Sequence, residues 1–391
     1  MKNLTSKSRV INLLLTLAVI LFVAGCGPKA RRSEGHMDTP QVHYKQGMKF
    51  YEDGKLDKAL SEFNLAKTLD HKYGPAYIGL SLVSARKGKF KEAYEYVDKA
   101  EKYDDDNPKV YIAEGIIITL EKQGGKDEDW YEDAIDAYDE ALKKDPQSGE
   151  AHYRKGWTYK KAFMFSKAGE EFQKTLEINK DYTSEADKEW ATVQKIQRAA
   201  PGTIVGKKIA LIGTISRSDI AALFINELDV VKLIEKKRPK NYDTGFRAPE
   251  TDKTKMKTET SVKKEAVTDV SGHWAENFIK EVVRLQIRGL SPYPDHTFRP
   301  DEKVTRSEYA LMVEDVLIAI LRDPSLATKH IGASKSRFPD VNPSSPYYNA
   351  ICNAVDKNVM DAEMNGEFGI SDPVSGAEAL LVIRKLKELN K

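Results

Sequence analysis

Cysteine is scarce in this chain of 391 residues, which contains only Cys26 and Cys352. Cys352 lies in the apolar segment ICNAV, which starts at Ile351 and has helical spacing. A single cysteine in such a run is expected to be a small core residue rather than a reactive thiol.

The groupings of residues that usually carry catalysis are also lacking. The seven histidines are scattered, and none stands at metal-ligand spacing beside cysteine or carboxylates. No glycine-rich phosphate loop follows a strand pattern, and there is no nucleophile elbow. The sequence therefore predicts a protein that is not an enzyme and has no cofactor and no metal site.

Long apolar runs are limited to the N-terminus, where residues 1–25 combine a basic start with an apolar stretch. The stretch is too short to favour a spanning helix and predicts a signal peptide. It ends in VAGC, which resembles a lipobox, so Cys26 is the expected lipidation site, with an incidental cysteine after an ordinary signal as the alternative. A lipidated Cys26 would leave no disulfide in the mature chain. Gly27 rather than Asp is compatible with the outer membrane if the organism has two membranes.

Neither sign of charge dominates. The formal net charge is +2, and removing Lys2, Lys7 and Arg9 with the signal peptide would bring it to −1 (+2 minus three cations). This balance gives no general attraction to nucleic acid, so none is expected as a partner. Residues 26–39 are polar and predict a tether.

A repeat with a period of 34 residues then begins. Its most visible copies are GKLDKA at Gly54 and GKFKEA at Gly88, and it resembles the tetratricopeptide repeat. We expect four helical hairpins at 40–73, 74–107, 108–148 and 149–182, stacked into an α-solenoid. Small first-helix residues, including Gly47, Gly115 and Gly156, should pack against large second-helix residues.

The first helices of these repeats are expected to line a concave groove for a partner's helix or extended peptide, although any one residue could instead be inter-repeat core. The predicted groove residues are Tyr44, Met48, Tyr51, Ile78, Leu82, Ile112, Ile116, Tyr153 and Trp157.

Residues 183–391 contain three related segments, separated by a polar linker at 236–268 between the first and second. Each segment has a β-branched residue just before a capping box, in which an N-cap side chain and an acidic side chain three residues later bond each other's backbone N–H. The boxes begin at Ser216, Thr305 and Ser375. The middle copy also carries DVSGHWA from Asp269 and YPDHTFRPD from Tyr293.

These strings resemble the S-layer homology module, with copies one and three degenerate. The resemblance implies a three-lobed helical domain that binds cell-wall polysaccharide, either an acidic secondary polymer or peptidoglycan. A cation at the first turn of a helix is disfavoured by the helix dipole, so Arg217 and Arg306 are expected to bind an anionic group together with free helix-start N–H groups. The alternative is that both arginines are solvated surface residues and that Trp274 is core. The candidate polysaccharide-binding residues are Arg217, Arg306, Trp274, Asp295, Thr305 and Ser216.

The sequence as a whole predicts an all-α protein, with the solenoid followed by the three-lobed domain. The predicted function is a lipid-anchored tether or scaffold in the cell envelope, on the extracytoplasmic side, which binds wall polysaccharide and an unknown protein partner. The alternative is an accessory lipoprotein for secretion or envelope assembly, whose C-terminal copies contact only protein.

Overall fold

The computed structural model describes residues 31–125, 127–235 and 267–390. The predicted signal peptide, Cys26 and nearly all of the predicted linker at 236–268 lie outside these residues. Among the described residues, the regular secondary structure is helical. The β-type pairing there consists of two isolated bridges, Ser216 with Lys303 and Thr305 with Pro373. The prediction of an all-α fold is confirmed. The chain divides into two compact units, residues 1–187 and 188–391.

In the first unit, the described residues between 40 and 178 form eight helices that pack as four consecutive pairs. They are α1 (Pro40–Glu52), α2 (Leu56–Leu69), α3 (Gly74–Arg86), α4 (Phe90–Tyr103), α5 (Pro108–Lys122), α6 (Glu132–Lys144), α7 (Gly149–Lys161) and α8 (Phe165–Ile178). Helices such as α1 begin after an N-cap side chain, here Thr39, with proline at the first position, where no backbone donor is needed.

Close approach of the paired helices depends on glycine. A Cβ on Gly47 would lie 2.5 Å from the ring of Phe63, and a Cβ on Gly115 would lie 2.5 Å from the ring of Tyr138. Both rings are fully buried. The predicted pairing of small first-helix residues with large second-helix residues is confirmed at these positions.

The second unit contains the end of α9 (Thr183–Ala199) and seven further α-helices among its described residues. These are α10 (Ile204–Ala210), α11 (Arg217–Asn226), α12 (Val230–Glu235), α13 (Glu276–Arg284), α14 (Arg306–Leu321), α15 (Tyr348–Asp356) and α16 (Gly376–Leu389), with a short 3₁₀ turn at Pro324–Ala327. Cys352 on α15 is fully buried, as expected.

A ring of backbone hydrogen bonds joins the three copies at their β-branched residues. Val304 N donates to Ile215 O at 3.2 Å, Val374 N donates to Val304 O at 3.2 Å, and Ile215 N donates to Val374 O at 2.9 Å. All three side chains are buried. Each copy therefore occupies an equivalent place around one axis, and the short first copy completes the ring.

Candidate functional sites

Arg217, the first residue of α11, points into the loop of the second copy that joins α13 to α14. Its Nε donates to Phe298 O at 2.8 Å, its Nη1 to Gly289 O at 2.6 Å and its Nη2 to Ser291 O at 3.0 Å. The residue is 7% exposed, and its guanidinium carbon lies 4.6 Å from the centre of the Phe298 ring. Burial lowers the pKa of Arg217, although an arginine stays protonated.

Arg306, the first residue of α14, repeats this arrangement one copy further on. Its Nε donates to Phe368 O at 2.9 Å and its Nη2 to Asp361 O at 2.8 Å. Its Nη1 pairs with the carboxylate of Glu378. Burial lowers the pKa of Arg306 as well.

The capping boxes of α11 and α14 are complete, with Asp219 and Glu308 as their acidic members. The third box is only half formed. Ser375 Oγ accepts from Glu378 N at 3.2 Å, but the Glu378 carboxylate binds Arg306 instead of returning to the backbone of Ser375. The prediction of a third full box is corrected, because an arginine from the neighbouring copy takes the carboxylate.

The backbone donors at these helix starts are occupied too. Arg217 N donates to Glu302 O at 3.0 Å, and Arg306 N donates to Asp372 O at 2.9 Å. The hydroxyls of Ser216 and Thr305 each lie 2.8 Å from the carboxylate of their own box. The expectation of free N–H groups beside the arginines is therefore wrong, because loop carbonyls of the next copy already fill that space. The predicted alternative of solvated arginines is also wrong, because Arg217 is 7% exposed and the side chain of Arg306 is 13% exposed.

The third copy has Gly376 where the other two have arginine, and the structure gives the reason. A Cβ on Gly376 would lie 1.7 Å from Ile209 O and 3.2 Å from Ala210 Cα. Both atoms belong to the backbone of α10, the helix that precedes α11 in copy one. Gly376 N donates to Ile212 O at 2.9 Å, so the helix start is still satisfied. No side chain fits between copies three and one.

Sequence reasoning did not assign a role to the aspartates that open the second and third motifs. Asp269 accepts from Phe298 N and Arg299 N, both at 2.7 Å. Asp340 accepts from Phe368 N and Gly369 N, both at 2.8 Å. Each carboxylate therefore fixes the loop that holds the carbonyl bound by an arginine. The available signal was the pair Asp-Val, which occurs both at Asp269-Val270 and at Asp340-Val341.

Asp295 shapes the turn of the second copy's loop. Its Oδ1 accepts from Thr297 N at 3.0 Å and from Thr297 Oγ1 at 2.6 Å, and these bonds lower the pKa of Asp295 to about 2. The next residue, His296, has φ of +61° and an exposed side chain. Glycine is the residue that accepts this backbone conformation without strain, and Gly366 at the matching place in copy three has φ of +84°.

Replacing His296 with glycine is expected to raise the free energy of unfolding by about 1 kcal/mol, because the left-handed backbone disfavours a residue with a Cβ. Chemical denaturation measures this change. Gly366→His is the reciprocal control and should lower the free energy of unfolding by a similar amount. Equal stability of His296→Gly and the wild-type protein would show that the loop relaxes without strain.

Trp274 is 55% exposed, so the interpretation of this residue as core is wrong. It stands two residues before α13, where Ala275 N donates to His273 Nδ1 at 3.1 Å. Its ring meets the edge of Phe278 at 6.3 Å between centroids. A large aromatic ring is thus held in place and remains more than half open to solvent.

In the first unit, a groove of about 920 Å³ is lined by five of the predicted residues, namely Tyr44, Met48, Tyr51, Ile116 and Trp157. Ile78, Leu82 and Ile112 are only 2–5% exposed. These three do not line the groove, so the prediction is corrected for them, whereas Tyr51 and Ile116 line it although they are only 8% and 5% exposed. Tyr153 stacks on Tyr182 at 4.9 Å between centroids and supports the groove wall.

The groove also carries charged side chains beside its aromatic rings. The guanidinium carbon of Arg154 lies 5.0 Å from the Tyr182 ring centre, and that of Arg86 lies 4.7 Å from the Tyr51 ring centre. Burial disfavours the Arg154 cation, but Tyr182 and Glu150 outweigh this effect and raise its pKa. The buried Nε of Arg154 has no hydrogen-bond partner among the described residues. The groove floor therefore combines aromatic faces with cations.

Comparison with known proteins identifies the class of the second unit. Residues 268–310 and 337–380 match the family described as S-layer homology domain. The C-terminal part of the chain therefore carries an S-layer homology domain, and the match covers the second and third copies. Cell surface glycoprotein 1 of Acetivibrio thermocellus is 33% identical over an aligned length of 99 residues, and the match covers 23% of this chain and 4% of that protein. The chain thus spans a small part of that relative's length.

Two solved structures are similar to about half of the chain. TTC0263, described as a thermophilic TPR protein in Thermus thermophilus, is 16% identical, with a TM-score of 0.37, and covers 50% of this chain and 96% of its own. Pseudomonas aeruginosa PilF is 21% identical, with a TM-score of 0.33, and covers 49% of this chain and 84% of its own. TM-scores this low support no conclusion about this chain. The solenoid is identified from the four helix pairs described above.

None of the helices within residues 31–125, 127–235 and 267–390 combines the length and the apolar composition of a membrane span. The same residues contain no group of three or more His, Cys, Asp or Glu side chains that could hold a metal ion.

Proposed function

We propose that this protein is a cell-envelope tether that binds wall polysaccharide through its S-layer homology unit and a protein partner through the solenoid groove. Lipidation at Cys26 would hold it to a membrane on the extracytoplasmic side. The observation that carries the proposal is the closed ring of three copies, with an exposed aromatic ring on the second copy.

The arginines support the site by positioning its loops. Arg217 already uses three of its five N–H donors on loop carbonyls, and Arg306 is paired with Glu378. The polymer would therefore contact loop surfaces that the two arginines hold in place. It would not displace the hydrogen bonds that the arginines make to the protein. Trp274 is the candidate for direct contact, since aromatic rings contribute strongly to binding where one face is open.

Trp274→Ala is expected to weaken co-sedimentation of the purified protein with sacculi from its own organism by about tenfold or more, as expected for loss of a central aromatic contact. Met364→Ala is the matched control, because Met364 is a fully exposed apolar residue of copy three. Both variants should retain the wild-type circular dichroism spectrum. Equal sedimentation of Trp274→Ala and the wild-type protein would remove Trp274 from the site. Failure of the folded wild-type protein to sediment would favour the alternative, in which the C-terminal copies contact only protein.

The solenoid groove suits an extended or helical segment of a protein partner. Its lining carries five cations and four anions among aromatic side chains, so the partner segment should combine apolar anchors with charges of both signs. Trp157, whose ring lies 5.5 Å from Lys161 Nζ, is the largest predicted anchor point.

A further inference from the structure

The segment that precedes the first repeat is held against it. Arg31 N donates to Thr68 O, near the end of α2, at 2.7 Å. Both ring nitrogens of His43 on α1 face carboxylates, with Nδ1 2.6 Å from Glu62 and Nε2 2.9 Å from Asp38. Asp38 also pairs with the guanidinium of Arg31. Arg31 is therefore fixed at the end of α2.

This attachment limits where a lipid anchor can lie. Cys26 is five positions before Arg31, so an extended chain between them spans at most about 18 Å. Acyl chains on Cys26 would therefore bring the membrane surface close to Thr68 and to its neighbour on α2, Lys67. Arg32, which follows Arg31, is exposed and adds a cation at this place.

α2 and α4 carry lysines around one aromatic ring beside this attachment. Lys67 Nζ lies 5.9 Å and Lys99 Nζ lies 5.3 Å from the centre of the Tyr96 ring. Lys102, one turn further along α4, is exposed. Burial lowers the pKa of Lys67, and the Lys99 cation adds to this effect. We call Lys67, Tyr96, Lys99 and Lys102 the basic face.

The acidic residues of α4 do not neutralise the basic face. Glu92 is paired with the lysine three residues before it, at 3.5 Å. Burial raises the pKa of Glu114 on α5, and Glu101 and Asp98 add to this effect, so these two acids face the third repeat. Glu95 is thus the acid of α4 that remains beside the basic face. The three lysines of the face form no salt bridge among the described residues.

Lysines around a tyrosine suit the headgroup region of a bilayer. Lysine stems cover apolar surface while their ammonium groups reach lipid phosphates, and tyrosine rings favour the boundary between water and hydrocarbon. Each lysine at an anionic leaflet strengthens binding by about fivefold. None of the residues that line the solenoid groove comes from α2 or α4, so a membrane on the basic face would leave the groove open.

We propose that the basic face docks on anionic phospholipid headgroups of the membrane that holds Cys26. The inference rests on the proposed function, because the lipid anchor brings this face to the bilayer. The anchor also raises the local concentration of the face at the lipid surface, so a weak contact is enough to hold it there. Docking gives the solenoid one orientation on the membrane, with its groove free for a protein partner.

The test uses the whole mature chain with Cys26→Ser, which removes the acyl chains so that the contribution of the face can be measured by itself. The protein is co-sedimented at low ionic strength with vesicles of phosphatidylcholine alone, or of equal amounts of phosphatidylcholine and phosphatidylglycerol. The double variant Lys67→Gln/Lys99→Gln alters the basic face. Lys143→Gln/Lys180→Gln is the matched control, because it removes the same charge from exposed positions on the third and fourth repeats. Melting temperatures establish that each variant is folded.

We expect the wild-type face to bind the vesicles that contain phosphatidylglycerol, and Lys67→Gln/Lys99→Gln to bind them about 25-fold more weakly, about fivefold for each lysine. The control variant should bind like the chain with both lysines intact, and high ionic strength should abolish binding. Undiminished binding by Lys67→Gln/Lys99→Gln would overturn the proposal. Equal losses in the two double variants would also overturn it, in favour of overall charge, as would equal binding to phosphatidylcholine alone.

The anchor is tested separately by the mass of the N-terminal peptide from wild-type protein extracted from its own membranes. We expect a diacylated Cys26. A diacylated Cys26 without vesicle binding by the folded Cys26→Ser chain would overturn the basic face and leave the proposed function intact. An unmodified Cys26 would overturn the lipid anchor of the proposed function and, with it, docking of the basic face at that anchor.

Discussion

Replacing Gly376 with alanine is expected to lower the free energy of unfolding of the S-layer homology unit by about 3 kcal/mol or more. The added Cβ would stand 1.7 Å from Ile209 O and 2.6 Å from Ile209 C. These are backbone atoms, so no side-chain rotation relieves the overlap, and either α10 or α16 must move. Arginine, which would match the other two copies, should be at least as damaging.

Gly213→Ala is the matched control, because a Cβ there meets no atom within 4 Å. Denaturant unfolding of both variants, followed by circular dichroism, measures the difference. Equal stability of the two variants would mean that α10 does not fill the space between copies three and one. The third copy could then accept an arginine and form a site like the other two.

Arg217→Ala is expected to have the second largest effect, with a loss of about 3 kcal/mol in the free energy of unfolding. The substitution removes three hydrogen bonds and leaves the carbonyls of Phe298, Gly289 and Ser291 without this donor. It also removes a guanidinium packed on Phe298. Lysine should not rescue stability, because its ammonium lacks the planar set of donors that reaches three separated carbonyls.

Arg299→Ala is the control for this variant, because Arg299 belongs to the same loop but keeps about half of its side chain exposed. Thermal and denaturant unfolding of Arg217→Ala, Arg217→Lys and Arg299→Ala would separate the effects. If Arg217→Ala were as stable as Arg299→Ala, the guanidinium would be available to a ligand after all. If it is destabilised, loss of wall binding in this variant would report a folding defect, so Trp274 is the better residue for binding assays.

Local signals carried most of the fold prediction. The period of 34 residues placed small and large residues that meet in the structure, such as Gly115 and Tyr138. The boxes at Ser216 and Thr305 identified two helix starts, because capping depends on residues three apart. Helical spacing around Cys352 predicted its burial.

The site was harder to predict because its contacts are distant in sequence. Arg217 donates a hydrogen bond to a carbonyl 81 residues away. Arg306 pairs with a carboxylate 72 residues away, so the third capping box is only half formed. A helix start suggests an anion site when its donors are free, and the sequence alone did not reveal that loops of the next copy occupy them. The exposure of Trp274 likewise depends on how α13 packs.

The most direct test of the tether is whether its two binding surfaces act separately in one chain. Purified wild-type protein, Trp274→Ala and Trp157→Ala would each be measured for sedimentation with sacculi and for capture of envelope proteins, with Met364→Ala and Tyr103→Ala as exposed controls. We predict that Trp274→Ala loses the sacculi but keeps the captured proteins, and that Trp157→Ala shows the reverse. Loss of both activities in either variant, or of neither in both, would contradict the account of two independent sites.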